Sequence, residues 1–424
     1  MYFKDKLDNG IQVVMERIPY VNSVSIGVLV NAGITNEDRY INGVSHFIEH
    51  MLFKGTTNRT AMDIAGSIDD IGGQMNAFTS TEYTCFYIKV LDKHLPRAIE
   101  LLSDMFNNSL FDVESIEKEK GVIYEEIKMY QDSPEDIVYD LLSELMFENT
   151  PLALPILGSF DTISNLNRNS ILKYFYENYI PENIVISIVG NFDFKETLKV
   201  LNNYFKNGST YFNSSLKYND IPDFRQKLSS KQKDIEQLNF CVGMEGVKRD
   251  SEDLYPILVM NNIFGGSMSS RLFQRIREEK GLVYSIYSHA TSFQNIGAFT
   301  IYAGLSVDQI INVAKLINED IKNLKVDLIT KDELRKSKEQ IKGNYILGME
   351  STFSRMLDMG RSALLLGKIL TPEEVLKKID NVKIEDIERI VYKIFDKSKY
   401  NIAYVGDITN QQRLDNNLKE IFFS

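Results

Sequence analysis

Two stretches of the chain follow one pattern 216 residues apart, and that repeat limits the folds open to it. ILKYFYENYIPENIVISIVGNFDF begins at Ile171 and IERIVYKIFDKSKYNIAYVGDITN at Ile387; the same offset carries Gly190 onto Gly406. Each copy reads as a helix, a short connection, a β-branched strand, then a glycine and a polar residue opening a last helix. Solenoid units repeat every ~20–50 residues, so a period this long means two similar domains. A chain of 424 residues also exceeds one ordinary domain of roughly 100–200 residues. The polar stretch KNGSTYFNSSLKYNDIPDF is the natural joint. We expect an N-terminal domain over 1–208, a linker over 209–224 and a C-terminal domain over 225–424. Strand and helix runs are mixed in both halves. That predicts an α+β fold: two homologous α/β-sandwich domains, each a mixed sheet faced by helices.

Local patterns fill in the first half. LDNGIQVV predicts a turn at Asn9-Gly10 and then a strand. VNSVSIGVLV reads as a second strand. Val44, Phe47, Ile48, Met51 and Leu52 recur at helical spacing. TAMDIAGSIDDIGG is a helix stopped by Gly72-Gly73. MNAFTSTEYTCFYIKVL, rich in Thr, Tyr and Phe, reads as one strand. LPRAIELLSDMFNN and VESIEKEKGVIYEEIKMYQDSP are helices. Cys85 and Cys241 lie in strand-like runs and are expected as two buried free thiols; they cannot form a cysteine zinc site.

The first of these helices carries the chemistry. HFIEH puts His46 and His50 one turn apart on one face, in a chain with only four histidines. Glu49 lies three positions beyond His46, so its carboxylate projects beside the same point. Two imidazoles and a carboxylate suit zinc, with a fourth position left for water. Two histidines do not complete a site, however. His94 precedes a helix and His289 follows a tyrosine-rich strand; both read as surface or structural residues. The acids of the later helix are better candidates. Glu119 and Glu126 are seven apart and share a face, one to ligate and one to support. Spacing alone does not say which ligates. Glu114, Glu117 and Glu125 read as a solvated face.

HFIEH is also the H-x-x-E-H signature of inverted zincins. With MLFKGT, GGQMNAFTSTEYT and EKEKGVIYEEI, the chain resembles the pitrilysin/insulysin-like metallopeptidases along nearly its whole length. The branch is that of the mitochondrial processing peptidase and its bacterial relatives. The resemblance implies one Zn2+ per chain, held by His46, His50 and Glu126, with Glu49 as general base and Glu119 as supporting acid. It implies that Arg277 and Tyr284, in RIREEKGLVY, hold substrate and stabilise the oxyanion. It implies that Asn76, Ala77 and Phe78 contact an extended peptide at a sheet edge. In four-domain relatives the Arg/Tyr pair and the zinc lie in different domains. A two-domain chain bearing both sets is therefore expected to form a homodimer with composite active sites.

The expected function is a zinc endopeptidase acting on peptides or unfolded polypeptides in a closed dimer chamber. The rivals are a non-catalytic assembly subunit, whose ligands would be degraded, and a zinc hydrolase of another class, such as an esterase. A net charge of −11 argues against bulk nucleic-acid binding. No apolar run reaches the roughly 18–20 residues of a membrane span. MYFKDKLDNGIQVV lacks the apolar core of a secretory signal. A bacterial, cytoplasmic location is the expectation.

Overall fold

The computed structural model describes residues 2–205 and 222–424. The expected linker lies outside the described residues except for its last three positions. The first sheet has six strands: β1 (Tyr2–Lys6), β2 (Gln12–Arg17), β3 (Ser23–Val30), β4 (Gln74–Thr79), β5 (Thr84–Leu91) and β6 (Ile184–Gly190). Their order is β1-β2-β6-β3-β5-β4. The second sheet contains β7 (Lys227–Gln232), β8 (Gln237–Glu245), β9 (Val283–Ser292), β10 (Gly297–Ser306) and β11 (Asn401–Gly406), in the order β7-β11-β8-β10-β9. Matching β2 to β7, β3 to β8, β4 to β9, β5 to β10 and β6 to β11 superposes one order on the other. The senses match as well. The β2/β6 and β7/β11 pairs are parallel, and every other neighbouring pair is antiparallel. The sequence repeat is thus a duplicated mixed sheet, and β1 is an addition to the first copy.

Two compact units result, and neither is one continuous stretch of chain. The first gathers Met1–Lys128, the described part of Leu154–Tyr218, and Leu347–Leu370. The second gathers Met129–Ala153, the described part of Asn219–Ile346, and Thr371–Ser424. The helices that carry the first half are α1 (Val44–Met51), α2 (Ala61–Asp69), α3 (Leu95–Asn108), α4 (Val113–Asp132) and α5 (Pro134–Met146). No described helix is long and apolar enough to cross a membrane.

In the first unit, alternation along β3 divides the sheet faces. Val24, Ile26, Val28 and Val30 enter the main core with α1 and α3. Ser25, Gly27 and Leu29 face the other way, toward the helix Thr352–Leu366. Small residues let that helix come close. The Ser25 and Thr352 hydroxyls are 2.9 Å apart, and the Ser187 hydroxyl donates to the Met356 carbonyl at 2.7 Å. A Cβ on Gly27 would stand 2.3 Å from Met356 Sδ. The second unit repeats the arrangement with α5 on β8 and β11. Gly243, again 216 positions on, would place a Cβ 2.3 Å from Met146 Sδ.

Gly27→Ala is therefore expected to destabilise the first unit by about 1–3 kcal/mol through overpacking. Met356→Ala alone leaves a cavity and costs about 2–5 kcal/mol. Combined, the two should cost clearly less than their sum, because each relieves the other. Urea denaturation of the four proteins measures the coupling; strict additivity would refute the contact.

One local reading changes. MNAFTSTEYTCFYIKVL is two strands, β4 and β5, paired antiparallel through a turn in which the Ser80 amide donates to the Tyr83 carbonyl at 2.8 Å. Thr and Tyr favour strands on either side, so propensity alone runs through the reversal. The first turn and the cysteines match their readings. Gly10 has φ +97° in the first turn, and both cysteines are buried and free.

Candidate metal centre

Helix α1 has only eight residues, too few to persist alone. Burial of Val44, Phe47, Ile48 and Met51 holds it in the core. Its N-cap is Gly43, at φ +92°, which has no side chain to cap with. The buried Glu37 carboxylate replaces that cap. It accepts from the Gly43 amide at 2.8 Å, the Ser45 amide at 2.9 Å and Asn42 Nδ2 at 2.9 Å. An anion at a helix N-terminus also suits the helix dipole. Burial pushes the Glu37 carboxyl above its ordinary range, while those hydrogen bonds pull it back.

The apolar face of α1 turns His46 and His50 together on the opposite side, with ring centroids 4.5 Å apart. Helix α4 supplies the acids. Ile116, Ile123 and Ile127 anchor it at helical spacing, and Glu119 lies buried in the same stripe. Glu126 Oε2 comes 3.8 Å from His46 Nε2 and 3.7 Å from His50 Nε2. Glu119 Oε1 lies 2.8 Å from His50 Nδ1, and its other oxygen is 2.6 Å from Lys54 Nζ. Glu49 is buried, and its Oε2 accepts from the Thr79 hydroxyl of β4 at 2.6 Å. Glu114, Glu117 and Glu125 are exposed and paired with Lys118, Lys120 and Lys128.

The donor set fits a zinc ion. One ligand atom from each of His46, His50 and Glu126 lies within 4.8 Å of the other two. Zinc bonds of about 2.0–2.2 Å in tetrahedral geometry separate neighbouring donors by roughly 3.3–3.6 Å, and the 3.8 and 3.7 Å from Glu126 Oε2 to the two imidazoles lie within a few tenths of an ångström of that. Glu126 Oε2, which faces both imidazoles, is buried without a hydrogen-bond partner, and such an orphaned atom is costly unless something binds there. The Glu119 contact on His50 Nδ1 leaves Nε2 facing Glu126, the usual way an outer carboxylate orients a ligating imidazole.

The electrostatics pull the two imidazoles apart. Burial, with His50 adding to it, pushes His46 down to about 3, so it stays neutral. Burial also acts to lower His50, but the Glu119 hydrogen bond and the nearby carboxylates outweigh it and raise it. Burial raises the Glu49 carboxyl, against the pull of the Thr79 hydrogen bond. Glu119 is held below its ordinary value; burial opposes this, and the His50 and Lys54 contacts win.

The remaining expected site residues lie as follows. Ala77 is buried in the core of the first unit, so any contact it makes with a peptide is through its backbone. Asn76 is exposed, and Phe78 packs edge-on to Tyr83 at 5.8 Å. β4 ends the sheet and pairs only with β5 among the described strands. Phe86 is fully buried. Arg277 and Tyr284 belong to the second unit. Arg277 sits in the π-helical segment Phe273–Glu279, its guanidinium 4.7 Å from the Phe273 ring centroid. Tyr284 is 64% exposed near the start of β9. His289 packs on Tyr139 and Tyr287 and belongs to no metal-binding group among the described residues.

Three residues of the site escape sequence reasoning. Lys54 and Thr79 lie in the motifs MLFKGT and MNAFTSTEYT, yet no spacing marks them as partners of Glu119 and Glu49. Glu37 carries no signal at all, since its role depends on a loop folding back.

The family model described as insulinase, peptidase family M16, matches residues 12–159. The model described as the peptidase M16 inactive domain matches residues 165–341. The chain is 43% identical over 402 residues to the Bacillus subtilis protein named uncharacterized zinc protease YmxG, covering 95% of this chain and 97% of that one. It is 34% identical over 412 residues to the Streptomyces coelicolor protein named uncharacterized zinc protease SCO5738, covering 96% and 90%. Among solved structures, a protease from Helicobacter pylori aligns with a TM-score of 0.90 at 22% identity, over 96% of this chain and 99% of that one, a likeness of fold.

Proposed function

This chain belongs to the insulinase (M16) peptidase family, and from that premise we propose that it is a zinc-dependent endopeptidase acting on extended peptides or unfolded polypeptides. One observation carries the reading: His46, His50 and Glu126 converge beside a buried Glu49 held by Thr79. When bound, one zinc per chain would supply a Lewis acid that polarises a carbonyl and lowers the pKa of water to about 7. Glu49 then takes the proton of the attacking water and hands it to the leaving amine. Thr79 keeps that carboxylate turned into the site. The free edge of β4 pairs with the substrate backbone, giving affinity with little sequence choice. Asn76, Ala77 and Phe78 lie along that edge.

Arg277 and Tyr284 are assigned to the substrate as well. The guanidinium fork donates to peptide carbonyls, and the Tyr284 hydroxyl donates to the oxygen on which charge develops. The pair acts on the zinc site of a second copy, in a homodimer with a closed chamber. The presence of both sets in one chain and the exposure of Tyr284 support this arrangement. Mixing a Glu49→Gln chain with a Tyr284→Phe chain tests it. Each alone should be nearly inactive, and exchanged hybrids should regain one intact site. No recovery, with exchange demonstrated, would exclude the composite site.

Metal analysis of the purified protein, with cleavage of a quenched peptide library, tests the reading as a whole. A chain that takes up no zinc and cleaves nothing is not this enzyme. An assembly subunit without catalysis is the second reading. It draws on the inactive-domain description matched by 165–341. The complete set of His46, Glu49, His50 and Glu126 speaks against it. The location we assign is the bacterial cytoplasm, in keeping with the bacterial relatives.

A further inference from the structure

Glu119 is only 3% exposed, and each of its oxygens has one partner. Oε1 meets His50 Nδ1 at 2.8 Å, and Oε2 meets Lys54 Nζ at 2.6 Å. Lys54 lies just past the end of α1, where its amide donates to the Met51 carbonyl at 3.1 Å and tightens the final turn. Its side chain is about one-third exposed, so the stem spans from solvent to the buried carboxylate. Glu126 is one of the three donors, and Glu119 and Glu49 lie beside them. Among the described residues, Lys54 is the one lysine or arginine within ion-pair distance of any of these three carboxylates.

We infer that Lys54 is a positioning residue for the metal centre, acting through Glu119 on His50. Two physical effects support this. The first is orientation. A carboxylate pinned at one oxygen presents the other in a fixed direction. That keeps the hydrogen on His50 Nδ1 and the lone pair of Nε2 toward Glu126. The second is charge. Three carboxylates crowd one partly buried site. A divalent ion balances two of them, and the Lys54 ammonium balances the third. Without Lys54 the loaded site keeps an unbalanced negative charge in a poorly solvated place, which is costly. The ammonium reaches the centre through Glu119, so its effect falls on metal affinity.

This inference rests on reading His46, His50 and Glu126 as a zinc site, and the experiment separates the two. Metal-free protein is titrated with zinc against a chromophoric chelator. Lys54→Met, which keeps the aliphatic stem, should weaken zinc binding by roughly 10–100-fold, the scale for losing a group that supports a ligand. Lys54→Arg should restore most of the affinity, since a cation still reaches Glu119; a merely structural stem would not distinguish Met from Arg. Glu119→Gln should weaken zinc on the same scale, and adding Lys54→Met to it should cost little more, because one acts through the other. Zinc binding by Lys54→Met equal to wild type, or full multiplication of the two losses, overturns the role of Lys54. Wild type that binds no zinc overturns the metal reading itself. Thermal melts of the metal-free proteins check that the variants fold.

Discussion

Glu49→Gln is expected to lower kcat by roughly 10²–10⁴-fold while zinc binding stays intact. The reason is geometric. Glu49 is not among the three residues whose donor atoms converge, and its carboxylate is turned to the Thr79 hydroxyl at 2.6 Å. Glutamine has nearly the same shape, and its amide oxygen can still accept from Thr79. What disappears is the ability to take a proton from water and return it to the leaving amine. Metal analysis and kinetics on the same preparation check both halves of the expectation. Undiminished cleavage would remove Glu49 from the chemistry. Lost zinc would move it into the metal-holding set.

Glu126→Ala should have the opposite signature, with zinc and activity lost together. It removes the one carboxylate oxygen, among the described residues, that lies within 4 Å of both imidazoles. Losing a direct donor should exceed the roughly 10–100-fold cost of losing a supporting residue. The Glu126 side chain is 35% exposed, so its removal should spare the fold. His50→Ala is a less clean test, because it would strip one partner from the buried Glu119. The thermal response is a second readout. Zinc at 100 times its dissociation constant stabilises a binding-competent native state by about 2.7 kcal/mol. Wild type should gain thermal stability with added zinc, and Glu126→Ala should not. A variant that still responds fully would exclude Glu126 as a ligand.

Much of the fold is legible where structure is local. Valine and isoleucine alternation in β3 marks a strand, and Val44, Phe47, Ile48 and Met51 mark the buried face of α1. The duplication was visible because a repeat compares the chain with itself. Its depth was not. The glycines at 27 and 243 keep the 216-residue offset, but their meaning appears only when Met356 and Met146 lie over them. The segments Met129–Ala153 and Leu347–Leu370 each join the unit built mainly from the other half of the chain. Nothing in the periodicity of either helix says which sheet it will cover, since an apolar stripe fits any apolar face.

The same division runs through the metal centre. By itself the sequence determined that His46 and His50 share a face with Glu49 beside them, because an α-helix brings positions three and four apart together wherever it forms. It also offered Glu119 and Glu126 as a pair on one face of α4, without deciding between them by spacing. Only the tertiary structure decided the rest. Packing of α4 against α1 brings Glu126 to both imidazoles and Glu119 to the far side of His50, where Lys54 meets it. The edge position of β4 brings Thr79 to Glu49, and a loop brings Glu37 to the start of α1. These contacts join residues separated by up to 80 positions, and they follow from how elements pack against one another. A helical period is a property of one element and carries no information about its neighbour.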